Sequence, residues 1–373
     1  MLFLSSPLTR LFLIALFFCN SYPIDAKMFR IIPWWQTFSE DTSFFVDPVA
    51  WPPVALPLRN NLEKLGHEIT TLHSLEELEK TDYLITFHFP YLESSKGILT
   101  LAEKKNVLYL WETPIYTPEA FKKKAHRSFS KIFTWDDSLV DNKRYFKFFY
   151  PSLKTPMRKD LKPFKDRKFC TLVATYRTSE RKKELHTMRN RLVSYFEKFF
   201  PDKFDLYGRF WPSGPNGYKT FKGQAGDKFE LLNNYKFYIC YENSVFDGYI
   251  TEKIFDCFYS GCIPIYYGAP DISDYIPEGC YIDKRKFPSE ESLVKFLNNM
   301  EEETYLEYLK NIKNYLNSEK SHLFSVNYFM HQLLSTLLPK YNKDLIFTKE
   351  EQTLNEKTDR LSKKLTAAKH GKK

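Results

Sequence analysis

The sequence predicts a two-domain α/β protein. Strand-like and helix-like segments alternate over residues 28–150 and again from residue 168 onward, the order that produces largely parallel sheets. Between the two runs, residues 151–167 read PSLKTPMRKDLKPFKDR, with three prolines and six Lys or Arg, the composition of an interdomain linker. The length, 373 residues, exceeds one ordinary core and suits two domains plus tails. Aromatic residues make up 17% of the chain, which excludes a disordered protein and supplies a large core.

In the first unit, Met28–Ile32 reads as a strand. Pro57–Leu65 has helical spacing, with Leu58, Leu62 and Leu65 on one face. Glu68–Leu72 reads as a strand, Leu75–Lys80 as a short helix, Tyr83–Phe89 as a strand, Gly97–Lys104 as a helix and Asn106–Trp111 as a strand. Lys131–Thr134 and Lys147–Tyr150 add short strands. In the second unit, strands are expected at Phe169–Ala174, Phe204–Tyr207, Phe237–Tyr241 and Ile263–Tyr267. Helices are expected at Glu184–Phe200, Thr251–Ser260, Ser289–Met300, Glu303–Leu316 and His322–Leu337, closing a domain over 168–345.

The two ends differ from this body. Residues 1–26 carry Arg10, then the apolar run Leu11–Phe18, then Asn20, Ser21 and Pro23. That is the layout of a signal peptide or signal anchor, and it places the protein in an exported or membrane-associated setting, a bacterial envelope or a Golgi-type lumen. Residues 346–373 hold Leu354, Leu361 and Leu365 among many charges and end in a cluster of lysines. They read as a solvated basic tail, helical or disordered, with a peripheral contact to anionic lipid as the alternative. The net charge of +9 fits a Lys-rich solvated surface or an anionic partner. With no zinc finger, helix-turn-helix or basic-aromatic RNA motif, nucleic acid is not expected. The six cysteines show neither CxxC nor Cys/His ligand spacing, so they read mainly as buried apolar residues rather than a metal site, with one unassigned disulfide as the alternative.

The chemistry concentrates in Tyr235–Phe287. A buried strand ending at Tyr241 is followed by Glu242, Asn243 and Ser244, then a loop containing Gly248. Ligands of open α/β sheets sit beyond the carboxyl ends of strands. Thr251 is placed to open a helix, with Glu252 and Lys253 in its first turn. Free N–H groups, the helix dipole and the Lys253 charge together suit a pyrophosphate.

This stretch resembles the α-1,3/4-fucosyltransferase family, glycosyltransferase family 10. The matching pieces are Tyr241-Glu242-Asn243-Ser244, Tyr249-Ile250-Thr251-Glu252-Lys253, Pro264-Ile265-Tyr266-Tyr267-Gly268, and Cys280-Tyr281-Ile282-Asp283 followed by Phe287. Tyr241 stands where the family usually has Phe. Upstream, Asn106–Pro114 and Phe133–Asp137 also resemble the family, and Thr175-Tyr176 replaces its common Ser-Asn. The resemblance covers roughly residues 80–300 and is dense over 235–287.

The resemblance implies a GT-B fold, two Rossmann-like domains facing a central cleft. It implies an inverting transfer of L-fucose from GDP-fucose to a glycan hydroxyl, O3 of N-acetylglucosamine by family habit. Residues 28–150 would bind the acceptor and 168–345 the donor. Glu112 is placed as catalytic base and Glu252 as a second catalytic carboxylate. Arg189, Glu242, Asn243, Tyr249 and Lys253 are placed around the donor; Arg191 and Arg177 rival Arg189. No cofactor or metal site is expected, a divalent ion at most stimulating, so protein cations would meet the charge of leaving GDP. No histidine is singled out as essential. A related enzyme using another GDP-sugar, and a non-catalytic sugar- or nucleotide-binding module, stay open as rivals.

Overall fold

The computed structural model describes residues 26–32, 54–74, 76–87, 106–152, 156–215 and 217–370. The apolar N-terminal run, the helix expected at Gly97–Lys104 and the strand-end residue His88 lie outside the described residues. Among the described residues, no helix is long and apolar enough to cross a membrane, and the five described cysteines are free and buried.

Each half is built on its own sheet. The first contains β1 (Met28–Ile32), β2 (Glu68–Thr71), β3 (Tyr83–Thr86), β4 (Asn106–Leu110), β5 (Lys131–Thr134) and β6 (Tyr145–Lys147). They are ordered β2-β1-β3-β4-β5-β6, every pairing parallel. All five residues of β4 are buried, as befits a strand covered on both faces. Its Tyr109 ring stacks on Phe133 of β5 at 4.5 Å. Helix α1 (Ala55–Lys64) buries Ala55, Leu58 and Leu62, the face its spacing predicted.

The second sheet contains β7 (Lys168–Val173), β8 (Phe204–Tyr207), β9 (Tyr235–Tyr241), β10 (Ile263–Tyr267) and β11 (Ile282–Asp283). Its order is β11-β10-β9-β7-β8, again all parallel. Around it lie α2 (His186–Phe199), α3 (Lys228–Leu232), α4 (Glu252–Ser260), α5 (Glu290–Asn298) and α6 (Glu302–Leu316). Helix α5 starts with a capping box at Ser289 and Ser292. The five-residue α3, which periodicity did not reveal, is started by Asp227, whose carboxylate accepts from Phe229 and Glu230 N–H.

The C-terminal third departs from its sequence reading. The helix expected over His322–Leu337 is broken: a short 3₁₀ turn at Ser321–Phe324 precedes α7 (Val326–Leu337). Ser325 makes the break, its hydroxyl capping Tyr328 N–H at 3.0 Å. Helix α7 then leaves the second sheet and packs on the first, where Phe329, Met330, Leu333, Leu334 and Leu337 join its core. Phe329 meets Tyr109 at 5.3 Å. Residues 346–373, read as a solvated tail, contain α8 (Lys349–His370), which is docked rather than free: Asn355, Thr358, Ser362 and Thr366 are buried. Residues 156–167 are also seated on the second domain, with Arg167 4% exposed and donating to the carbonyl of Tyr235 and to Asn233.

Phe329 is 2% exposed, so Phe329→Ala removes a ring from the contact between α7 and the first sheet. Urea unfolding should show a loss of about 3–5 kcal/mol; a change within about 0.5 kcal/mol, as for an exposed site, would mean that α7 does not hold this sheet.

Candidate active site

The site is built outward from the carboxyl end of β9. Glu242 follows the strand and its residue is 0% exposed. A carboxylate so placed must find donors within the protein. Oε1 accepts from Thr251 N–H at 2.8 Å. Oε2 accepts from the Thr251 hydroxyl at 2.8 Å and from Lys253 Nζ at 3.0 Å. Room for it exists because residue 268 is Gly: a Cβ there would fall 2.5 Å from Glu242 Cγ. Glu242, expected at the donor, has both its oxygens bonded to donors within the protein. Thr251 does stand at the N-cap position, but it makes no side-chain cap; its hydroxyl serves Glu242.

Lys253 is thereby aimed. Besides Glu242 it donates to Thr251 Oγ1 at 2.9 Å and lies 4.0 Å from Glu252. Burial works to lower its pKa, but Glu242 and Glu252 outweigh that and hold the ammonium above its ordinary value. Two of its three donors face these partners. Desolvation would raise the Glu252 pKa, yet Lys253 and then Lys228 keep it below the usual carboxylate value. Its side chain is 45% exposed, so it is an ionised carboxylate open to solvent.

Arg189, on α2, is 5% exposed. It donates through Nη2 to the carbonyls of Tyr241 at 2.9 Å and Glu242 at 3.1 Å, so it braces the strand end. Its Nε is buried without a partner among the described residues. Of its rivals, Arg191 points to Glu290 at 3.1 Å, whereas Arg177 lies 5.7 Å over the Tyr116 ring.

The first domain supplies Glu112, two residues beyond β4. Burial raises its pKa, with Lys253 opposing, Glu252 adding, the Tyr249 hydrogen bond opposing and Glu242 adding. Tyr249 comes from the second domain, yet it is 2% exposed within the core of the first. It packs on Trp135 at 5.2 Å and Tyr150 at 5.7 Å and points its hydroxyl at Glu112 Oε2, 3.4 Å away. Tyr249 is therefore a support for Glu112 in this geometry. Ser244 ties the same junction, donating to Thr113 Oγ1 at 2.9 Å.

Glu112, Arg189, Asn243 and Lys253 line one cavity of about 260 Å³, together with Tyr116, Arg177 and His186. An open chamber of about 900 Å³ adjoins it, sharing Tyr116, Thr175, Arg177 and His186. Glu252 stands beside this lining on the first turn of α4. His186 was not anticipated. Burial, then Arg189 and Lys253, press its pKa down to about 4, so it is neutral. Arg189 faces its Nδ1 at 3.5 Å and can only donate, which leaves the ring proton on Nε2, toward the Tyr116 hydroxyl. Among the described residues no cluster of His, Cys, Asp or Glu could hold a metal ion.

Glu242→Ala should leave Lys253 and Thr251 without their buried acceptor. Removing one partner of such a pair costs about 3–5 kcal/mol, so denaturant unfolding should show a loss of that size. A stability equal to that of the unaltered chain would deny Glu242 its organising role.

The chain is similar to known proteins in sequence and in fold. Residues 162–336 match the model for "Glycosyltransferase family 10 (fucosyltransferase) C-term". Over 158 residues the chain is 32% identical to "Alpha-(1,3)-fucosyltransferase C" of Drosophila melanogaster, a match covering 39% of this chain and 34% of the relative. The chain spans no more than about a third of the length of this curated relative and of others it matches. Among solved structures, "Crystal Structure of alpha1,3-Fucosyltransferase" superposes with a TM-score of 0.55 at 18% identity, covering 88% of this chain and 94% of that one. "Crystal Structure of alpha1,3-Fucosyltransferase with GDP-fucose" gives 0.50 at 18%, covering 85% and 92%. At such identity the likeness concerns the fold, which is GT-B: two parallel-sheet domains around a cleft. Over residues 162–336 the chain is thus similar to the C-terminal domain of glycosyltransferase family 10, the fucosyltransferase family.

Proposed function

We propose that the protein is an inverting fucosyltransferase that moves L-fucose from GDP-fucose to a hydroxyl of an acceptor glycan. The observation that carries this reading is the placement of Glu112, from one domain, in the same cavity as Arg189, Asn243 and Lys253 from the other. A base and a set of cations facing each other across a cleft are the two elements of a direct displacement at an anomeric carbon.

In that displacement Glu112 takes the proton of the acceptor hydroxyl as its oxygen bonds to the anomeric carbon. The bond from that carbon to the phosphate oxygen breaks, and GDP leaves with the electron pair. Lys253, Arg177, the charge of Arg189, and the first N–H groups of α4 are the groups available to meet the charge on the diphosphate. Glu252, ionised beside Lys253, is assigned to the positive charge that develops on the sugar. Asn243 is assigned to hydrogen bonding with the donor. The first domain and the open chamber beside Tyr116 receive the acceptor. The apolar run in residues 1–26 supports export or membrane attachment; fractionation of cells expressing the chain with and without it decides this, and an unchanged distribution would remove the assignment.

Glu112→Gln should lower kcat by about 10²–10⁴-fold while GDP-fucose still binds by calorimetry. Near-normal turnover would remove Glu112 as the base. Turnover with a different GDP-sugar alone, or GDP binding with no transfer from any donor, would replace the fucosyl reading.

The base must be ionised, and its pKa is raised. Activity should therefore fall, as pH is lowered, above the ordinary carboxylate range. Lys253→Met removes a cation that favours the charged form and should move this acid limb of kcat/KM to higher pH; a shift to lower pH contradicts the assignment. The cations named above supply the charge that a metal would otherwise bring, so EDTA should leave turnover intact. Complete, metal-reversible loss would overturn that part of the mechanism.

A further inference from the structure

Tyr249 reaches Glu112 because the loop before it is pressed against the first domain. Gly248 has φ of 75°, and a Cβ there would lie 2.6 Å from the Trp135 carbonyl oxygen and 3.1 Å from Lys147 Nζ. No other residue fits that seat without shifting it. Lys147 forms the seat, donating to the Trp135 carbonyl at 2.6 Å and to Asp137 Oδ2 at 2.9 Å. Both members of this ion pair are buried, at 5% and 6% exposure. From the other side, Gly248 N–H donates to Asp271 Oδ1 at 2.9 Å. The seat thus has two walls: Asp137 with Lys147 in the first domain, and Asp271 in the second.

The last turn of α8 grips both walls. Thr366 Oγ1 donates to Asp137 Oδ1 at 3.0 Å, and His370 Nε2 donates to the Asp137 carbonyl at 2.5 Å. Tyr275 completes the shell of Asp137 at 3.1 Å. Lys369 donates to Asp271 Oδ2 at 2.6 Å and also to Asp274. The Lys369 and Asp271 side chains are 18% and 10% exposed, so this pair is shielded from solvent and from salt more than a surface pair is.

We propose that the last turn of α8 is a clamp on the Gly248 seat, and that Lys369, Asp271 and Asp137 are positioning residues that hold Tyr249 against Glu112. The mechanical reason is the sharing of Asp271. One oxygen holds the Gly248 amide and the other holds Lys369, so loss of the cation frees the carboxylate to turn toward water and release the loop. Tyr249 then loses its fixed approach to Glu112, although the cations of the donor cavity stay in place. The inference rests on the reading of Glu112 as base, and the following experiment separates the two.

The full chain is compared with Lys369→Met and Lys369→Arg. Amide hydrogen exchange is followed over residues 245–250, and kcat and GDP affinity are measured beside it. For Lys369→Met, exchange in the loop should quicken about tenfold and kcat should fall about tenfold. GDP affinity should change less than about threefold, the pattern of a lost transition-state arrangement. Lys369→Arg should restore both. Thr366→Val, which removes one hydrogen bond and keeps the shape, should move both readouts the same way by a smaller factor. Unchanged exchange in Lys369→Met overturns the clamp. Faster exchange with unchanged kcat overturns the positioning role. Near-normal turnover of Glu112→Gln beside a loop that quickens in Lys369→Met supports the clamp and strikes only the assignment of the base.

Discussion

The buried carboxylate of Glu242 is the constraint on which the candidate site depends. It has no access to water, so its charge must be met by neighbours, and those neighbours are Thr251 and Lys253. That requirement fixes where α4 begins and which way its first turn faces. Its own N–H donates to the carbonyl of Tyr267 at 2.8 Å, tying the ends of β9 and β10 to the same point. Arg189 adds its guanidinium to the carbonyls of Tyr241 and Glu242. One buried charge thus sets two strand ends, a helix start and the direction of Lys253, consistent with the cost of leaving any of these groups unpaired.

The two domains are joined by exchange of side chains rather than by surface contact alone. Tyr249, from the loop before α4 of the second domain, completes the core of the first domain among Trp135, Tyr150 and Trp111. In the opposite direction, α7 leaves the second domain to cover the first sheet. Fused domains of this kind keep Glu112 and Lys253 in one cavity. A hinge between the domains alone would not do so, and the described residues of the connection are themselves held, with Ser152 N–H bonded to the Phe324 carbonyl at 2.7 Å.

Most strands of both sheets were legible in the sequence because they are short runs of β-branched and aromatic residues between polar turns; β6, expected at Lys147–Tyr150, lies at Tyr145–Lys147, and the two-residue β11 was not read as a strand. Glu112, Arg189, Asn243 and Lys253, read from motif and strand-end position, do line one cavity. The inward turn of Glu242 was not legible, because it depends on donors nine and eleven residues later in the chain. The docking of α8 escaped for a different reason. Its buried face is Asn355, Thr358, Ser362 and Thr366, a helical spacing made of polar residues. That face is held by bonds such as His322 to Asn355 at 2.8 Å, and His331 meets the adjoining Asp359 at 2.9 Å. Hydrophobic periodicity is blind to such a face. His186 carried no local signal either, since its neutral state arises from burial and from Arg189 and Lys253.

The most direct test of the central claim is a mass-spectrometric transfer assay on the purified chain with GDP-fucose and a panel of glycan acceptors, N-acetyllactosamine among them. The proposed reaction predicts a product heavier by one deoxyhexose, with the configuration at the anomeric carbon inverted relative to the donor by NMR. A product with retained configuration would contradict direct displacement with Glu112 as base. Binding of GDP with no product from any acceptor would contradict the transferase reading itself.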